Sequence, residues 1–515
     1  MIYYKNFILK NSFYVKTYSW QILSLLTNFI SLFIILPYLT TNKFDYNIFV
    51  LFASVTLLMN YFDFGTSQAT HAIAGKLYNV NFKEFKKSVL TYIFLLSLII
   101  ILIIILLTIG YKNPNFYFKD INTNEFYKIK YYFLITIFTI PQYILLKFNM
   151  ILLGIHLKEY LIYKNQVISN IFRLLIVLIF IYMNFNSIIY YFLSIQLLTL
   201  LFSYTLYFKT KKITNIYFSQ IFNIENISKK YLLDITKFSF VTFLNIISFI
   251  LIYELDIIFI SKKFGISSVG DFGVAFSLLA FFRLLFGFNF SPFMNKRLSL
   301  STNSNHMDNF NYKIIFTTAP LVIFIIISFF LNLNDFIYSW VGPQFTDSIK
   351  ICSFLIFINI FAFISYPISE TLILRQNSKY IILLSLTIPI IYWSSILILQ
   401  NYFSYFAIVI SKLFIFFIYA FIYSIYIFKS TNIKIKNILI IFIQFIIPIL
   451  ILFILNYYFP IINSLHQKNK YLLFLTLIKI IFYFIFSFFI LITFSKFYRV
   501  ALYNNYKKLL FNDKI

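Results

Sequence analysis

Three cations stand where a lipid-facing chain least accommodates charge. Counting 1.5 Å of helix per residue, Arg173 lies roughly 12 Å into one apolar run, Arg283 about 16 Å into a second and Lys412 about 15 Å into a third. At a helix centre each such charge costs about 2.5–3.5 kcal/mol on insertion scales, so it needs a compensating reason. Gln166 and Asn170 precede Arg173 at helical spacing, which puts the three on one face and makes a polar stripe that must line protein or water. The acids do not match these cations in depth: Asp45, Glu254, Asp256 and Asp271 fall toward the outer ends of their runs and Asp63 toward an inner one. The simplest chemistry for such a set is a cationic cavity, formed by Arg173, Arg283 and Lys412 and lined by Gln166 and Asn170, that binds an anion. Guanidinium groups suit bidentate contact with phosphate. Structural pairing within each bundle is the competing reading. Lys147, Lys237 and Glu370 lie within a turn or two of expected helix ends, where a long side chain is expected to snorkel to the interface.

Other chemistry has little footing. A Ser/His/Asp or paired-carboxylate site needs its members held together, and the sequence offers scattered single residues, so no enzyme activity is expected. There is no Gly-rich phosphate loop of the P-loop type, which argues against ATP hydrolysis by the chain itself. His71, His156, His306 and His466 are dispersed and Cys352 is the single cysteine, so neither a zinc site nor an internal disulfide is expected, and no cofactor.

The elements that must position these residues follow from composition. Of 515 residues 61% are hydrophobic by type and only 11% charged, too little polar surface to clothe a water-facing fold of this size. The fold class expected is all-α and polytopic. Apolar runs of about 20 residues give fourteen candidate helices: 17–39, 44–64, 88–110, 131–153, 166–183 and 187–208; then 232–260, 272–293, 314–333, 349–374, 380–399 and 402–428; then 438–459 and 471–494. This grouping divides the chain into an N-terminal six-helix bundle (1–215), a C-terminal six-helix bundle (216–430) and an additional helix pair with a basic tail (431–515). A basic stretch containing Lys209, Lys211, Lys212, Lys229 and Lys230 separates the bundles. The opening twenty residues lack the short apolar core and small-residue cleavage site of a signal peptide, so the first run is expected to be a retained span.

The net charge of +27 belongs to loops beside the membrane, with no soluble domain to present a basic face to nucleic acid. Alternate loops differ in Lys and Arg content. The richer set includes both terminal segments, which assigns both termini to the cytoplasm. A faint internal repeat sets the segment from Asp45 against that from Asp271 without a gap, and pairs Asp63 with Asn289 inside the triplets FDF and FNF. The many Phe and Tyr residues look like drift toward A/T-rich codons and carry little functional weight.

Several stretches together resemble a known family. YFDFGTSQATHAIAGKL, LLGIHLKEYLIYKNQVISNIFRLLIVLI, LDIIFISKKFGISSVGDFGVAFSLL and WVGPQF are similar to the polysaccharide repeat-unit flippases of O-antigen and capsule synthesis, within the multidrug/oligosaccharidyl-lipid/polysaccharide exporter superfamily. The family's acid-then-Gly pattern falls on Asp63 and Gly65, its acid before an aliphatic run on Asp256, and its Gly-containing turn on Gly265 and Gly270. Phe272 stands where the family often has Tyr. The resemblance implies two six-helix bundles in a V shape plus a C-terminal helix pair, in a bacterial inner membrane. It implies alternating access to an undecaprenyl-diphosphate-linked oligosaccharide, polysaccharide polymerase and chain-length machinery as partners, and gating roles for Asp63, Gly65 and Asp256. A cation-coupled multidrug antiporter, a lipid II flippase of the same superfamily and a membrane polysaccharide polymerase or ligase are the alternatives.

Overall fold

A computed structural model of the chain describes residues 2–78, 80–116, 123–290, 304–374, 378–431, 435–459, 468–495 and 498–500. Among them there is no strand, and eighteen α-helices follow one another, joined by short turns. The protein is a multi-pass membrane protein: nine helices are long and apolar enough to cross a bilayer, or up to eleven if two sharply bent pairs each count as one span. The expected fourteen spans are therefore not reached among the described residues, and most of the differences sit where helices break.

The first break lies in the run expected at 44–64. Helix α2 (Lys43–Leu58) starts at Asn42, whose side chain accepts hydrogen bonds from the amides of Phe44 and Asp45. It stops after 16 residues in a run of turns over 59–65, which closes with Phe64 (φ 48°) and Gly65 (φ 80°), both left-handed, a conformation that a right-handed helix cannot continue through. Helix α3 (Thr66–Leu77) then begins directly from Gly65. A Cβ at a left-handed position costs roughly 1–2 kcal/mol. Gly65→Ala is therefore expected to lower the stability of the detergent-solubilised protein by about that amount, read as a lower thermal midpoint.

The run expected at 131–153 is two helices, α5 (Thr123–Thr139) and α6 (Gln142–Ile155), bent by 41° at Pro141, which offers no amide to continue the ladder. The run expected at 232–260 is α9 (Lys229–Phe249), a π-helical turn at Ile250–Glu254 and α10 (Asp256–Phe264). Helix α12 (Ser304–Leu331) meets α13 (Leu333–Val341) at 69°. The sequence reading leaves α13 as loop, yet Phe336, Ile337, Trp340 and Val341 are wholly buried there, an amphipathic face too short to register as a span.

The chain forms two compact units: Met1–Gly273 with Ile382–Ile390, and Val274–Ile381 with Ile391–Ile515. In the first, α1 (Ile2–Leu39) lies along α7 (Tyr160–Tyr182), α6 packs on α8 (Ile188–Thr214), and α4 (Phe82–Lys112) touches α3, α5 and α9. The basic stretch after α8 is docked rather than free. Ile216 is fully buried, the Phe218 amide donates to the Tyr207 hydroxyl (3.1 Å), the Ser228 amide to Thr91 Oγ1 (3.0 Å), and the Tyr231 hydroxyl to Glu84 (2.8 Å).

In the second unit, α14 (Thr346–Leu374) packs along α16 (Phe406–Thr431), and α12 contacts both α14 and α18 (Lys470–Phe494). The closing pair, α17 (Ile435–Tyr458) and α18, is tied to the α12–α13 bend. The Asn456 side-chain amide donates to the Leu331 carbonyl (3.2 Å), which the bend has released from its ladder, and Lys479 donates to Asn456 Oδ1 (2.8 Å). Ile327, Leu452 and Tyr483 form an apolar cluster beside this clamp.

Candidate functional site

Helix α7 runs between α1 and α8, and its polar stripe divides between them. Gln166 and Asn170 turn toward α1. Ser24 donates to Gln166 Oε1 (3.3 Å), Asn170 Nδ2 to Thr27 Oγ1 (3.4 Å), and the Ser31 hydroxyl to the Asn170 carbonyl (3.4 Å). Arg173, on the next turn, reaches instead toward α8, where Nη2 donates to Thr199 Oγ1 at 3.4 Å. Its Nε is buried with no hydrogen-bond partner, and no carboxylate lies within ion-pairing distance of the guanidinium among the described residues.

Further polar groups on α6 and α8 share this interior. Gln142 Nε2 donates to Gln196 Oε1 (3.0 Å) and Asn149 Nδ2 to the Ser203 carbonyl (3.0 Å), leaving Gln142 Oε1 and Asn149 Oδ1 buried and unsatisfied. Sequence reasoning missed these four residues. The signal was present: Gln142 and Asn149 stand seven residues apart on one apolar helix, Gln196 and Ser203 seven apart on another, so each pair shares a face. A buried donor and two buried acceptors lacking partners can serve a ligand, since each unmet group otherwise costs about 1–3 kcal/mol.

Arg283 and Lys412 belong to the second unit. Arg283 is partly buried on α11 (Val269–Phe290). Lys412, on α16, is fully buried, its ammonium 4.8 Å from the ring centre of Phe276 and 6.0 Å from that of Tyr392. Aromatic faces are attractive surroundings for a desolvated cation. Phe276 and Arg283 are two helical turns apart on α11, which places both cations along that helix, about 10 Å apart in axial level.

The residues of the acid-then-Gly pattern form a separate group in the first unit. Asp63 is buried (3% exposed) in the turn between α2 and α3, with Lys147 Nζ 3.2 Å from Oδ2. Lys147 also donates to the Asn60 carbonyl (2.7 Å) and its side chain is 12% exposed, so it turns inward to its counter-ion instead of snorkelling to the interface. The Tyr92 hydroxyl is wholly buried without a hydrogen-bond partner among the described residues. Gly65 supplies the left-handed turn behind Asp63. Asp256 opens α10 and is 1% exposed.

Two of the resembling stretches touch each other here. His71 on α3 closes on Gly154 near the end of α6, where a Cβ would stand 2.9 Å from Nε2, and Glu159 approaches the same point. Burial pushes the Glu159 carboxyl up from the usual carboxylate range.

Solved structures share this fold. The chain is similar to a lipid II flippase, MurJ, in an inward closed conformation, with a TM-score of 0.67 and 17% identity over 95% of this chain and 99% of that one. It is also similar to an inward-facing multidrug resistance MATE family transporter of the MOP superfamily (TM-score 0.54, 13% identity, 80% and 95% covered). A mutant of the Vibrio cholerae MATE transporter VcmN gives the same TM-score and identity, with 82% and 97% covered. No protein-family model and no curated protein matches the chain.

Proposed function

We propose that the chain is a flippase that moves an undecaprenyl-diphosphate-linked oligosaccharide from the inner to the outer leaflet of a bacterial cytoplasmic membrane by alternating access, for O-antigen, capsule or related polysaccharide synthesis. Both termini face the cytoplasm and no catalytic step is involved. The observation that carries this reading is the Arg173 guanidinium, which is partly buried beside Thr199 with its Nε buried and unmet and, among the described residues, without a carboxylate partner. A diphosphate must shed water to cross, and charge-assisted hydrogen bonds from a buried guanidinium offset that cost where neutral groups would not. Lys412, and Arg283 on the helix that carries Phe276, supply positive charge of the same kind in the second unit. The fold likeness over nearly the whole chain supports a transporter of this general design.

The breadth of the likeness to a lipid II flippase favours lipid II as the second reading, the two differing in the saccharide. Reconstitution separates them. Vesicles carrying the protein should expose a lipid-linked oligosaccharide to an impermeant glycan-modifying reagent at least tenfold faster than empty vesicles, with lipid II compared in parallel. Faster movement of lipid II would select the second reading, and movement of neither would overturn the function proposed.

A further inference from the structure

Two helices of the first unit share one face of α8. Gln196, Thr199 and Ser203 follow one another at spacings of three and four residues, which puts them on a single side of that helix. Helix α6 holds the two outer members: Gln142 Nε2 donates to Gln196 Oε1 and Asn149 Nδ2 to the Ser203 carbonyl, each at 3.0 Å. Helix α7 holds the middle one, where Arg173 Nη2 meets Thr199 Oγ1 at 3.4 Å, and adds a bond of its own from Asn165 Nδ2 to the Phe202 carbonyl at 3.0 Å. The Thr199 hydroxyl donates to the Ile195 carbonyl (2.9 Å), so toward Arg173 it can only accept, and the Ser203 hydroxyl donates to the Thr199 carbonyl (2.7 Å). The one partner of the guanidinium therefore sits inside a run of hydrogen bonds that α6 anchors at both ends.

These amides are poor choices for packing alone. Gln142 and Asn149 are buried, and each leaves its side-chain oxygen without a hydrogen-bond partner among the described residues, a penalty that a leucine of similar size would not incur. A half-satisfied amide is better suited to fixing register, because a small displacement breaks its bond whereas an apolar contact tolerates the shift. Counting 1.5 Å per residue, Gln196 and Ser203 stand about 4.5 Å and 6 Å to either side of Thr199 along α8, so the two α6 amides set the level of its hydroxyl. At 3.4 Å the Arg173 bond is near the limit of hydrogen bonding, and a slip of a few tenths of an ångström removes it. We propose that Gln142, Asn149 and Asn165 are positioning residues that hold α8 in the register at which Thr199 orients the Arg173 guanidinium toward the substrate diphosphate. The proposal rests on the function proposed above and names what aims its anion-binding group.

The guanidinium itself can be followed. Phenylglyoxal modifies the terminal nitrogens of arginine, and its yield on the peptides carrying Arg173 and Arg283, read by mass spectrometry on the solubilised full chain, gives the site and an internal reference in one sample. Thr199→Val frees Nη2 and should raise Arg173 modification about threefold, the loss of one ordinary hydrogen bond. Gln142→Leu with Asn149→Leu should raise it to a similar extent, with Arg283 unchanged and the thermal midpoint not lowered. Asn165→Ala changes a partly buried position, should act in the same direction, and carries the test if the α6 variant does not fold. In the vesicle assay the α6 variant should lose about threefold, and the loss should vanish when Thr199 is already valine, because the amides act only through that hydroxyl. Unchanged Arg173 modification in these variants, or an equal transport loss with and without the Thr199 hydroxyl, would overturn the positioning role. If Arg173 responds while the wild-type protein moves no lipid-linked saccharide, the function proposed fails and the positioning role stands.

Discussion

Arg173→Ala will abolish most transport of a lipid-linked diphosphate while leaving the protein at least as stable as before. The two halves of this result come from the same fact. Each charge-assisted hydrogen bond lost from a desolvated anion is worth about 1.5–3 kcal/mol, a fall in rate of roughly 10- to 100-fold. Among the described residues the guanidinium has one long hydrogen bond, to Thr199, an unmet Nε and no carboxylate partner, so its removal breaks no ion pair there and relieves a partly buried charge. A structural arginine behaves oppositely: deleting one member of a buried pair typically costs about 3–5 kcal/mol. Transport in vesicles and thermal unfolding of the same preparation decide between them. Loss of stability with transport preserved would assign Arg173 to structure. Arg173→Lys should keep part of the rate, since a lysine supplies the charge without the fork. Thr199→Val, which removes only the residue steadying Nη2, should cost no more than a few-fold.

The same residue shows what the sequence makes legible and what it does not. Depth within an apolar run is a property of one helix, so Arg173, Arg283 and Lys412 could be picked out by counting, and the all-helical membrane fold follows from composition. Which neighbour a side chain turns to depends on three helices at once. The stripe of Gln166, Asn170 and Arg173 reads as one face, yet α7 lies between two helices, so the shorter side chains bond to α1 and the longer one crosses to α8. Breaks were the least legible feature. A run such as 44–64 stays apolar across the turn, because membrane helices and membrane turns share a solvent, yet α2 ends at Leu58 and the left-handed pair Phe64–Gly65 separates it from α3. Lys147 misled for a related reason. Distance to a helix end predicts snorkelling only when no partner is nearer, and the partner, Asp63, is 84 residues away in sequence.

That pair gives the contrasting prediction. Asp63→Asn is expected to destabilise the protein by about 3–5 kcal/mol, because the Lys147 ammonium is left charged and buried with only the Asn60 carbonyl to hold it. Lys147→Met should be similarly costly, stranding a carboxylate at 3% exposure. Removing both charges together is the informative variant. Asp63→Asn with Lys147→Met leaves no uncompensated ion, and a buried pair replaced by neutral groups is often neutral or stabilising, so the double variant should recover most of the loss. The coupling between the sites, read from unfolding of the two single variants and the double one, should therefore exceed about 2 kcal/mol, near the upper part of the range for residues in direct contact. Additive losses would mean that the two side chains act independently. If the double variant regains stability and still fails to transport, Asp63 has a role in the cycle that charge balance alone does not explain. If it regains both, the acid-then-Gly pattern in this chain serves to anchor the α2–α3 turn to α6, and the electrostatic work of transport lies with Arg173 and the cations of the second unit.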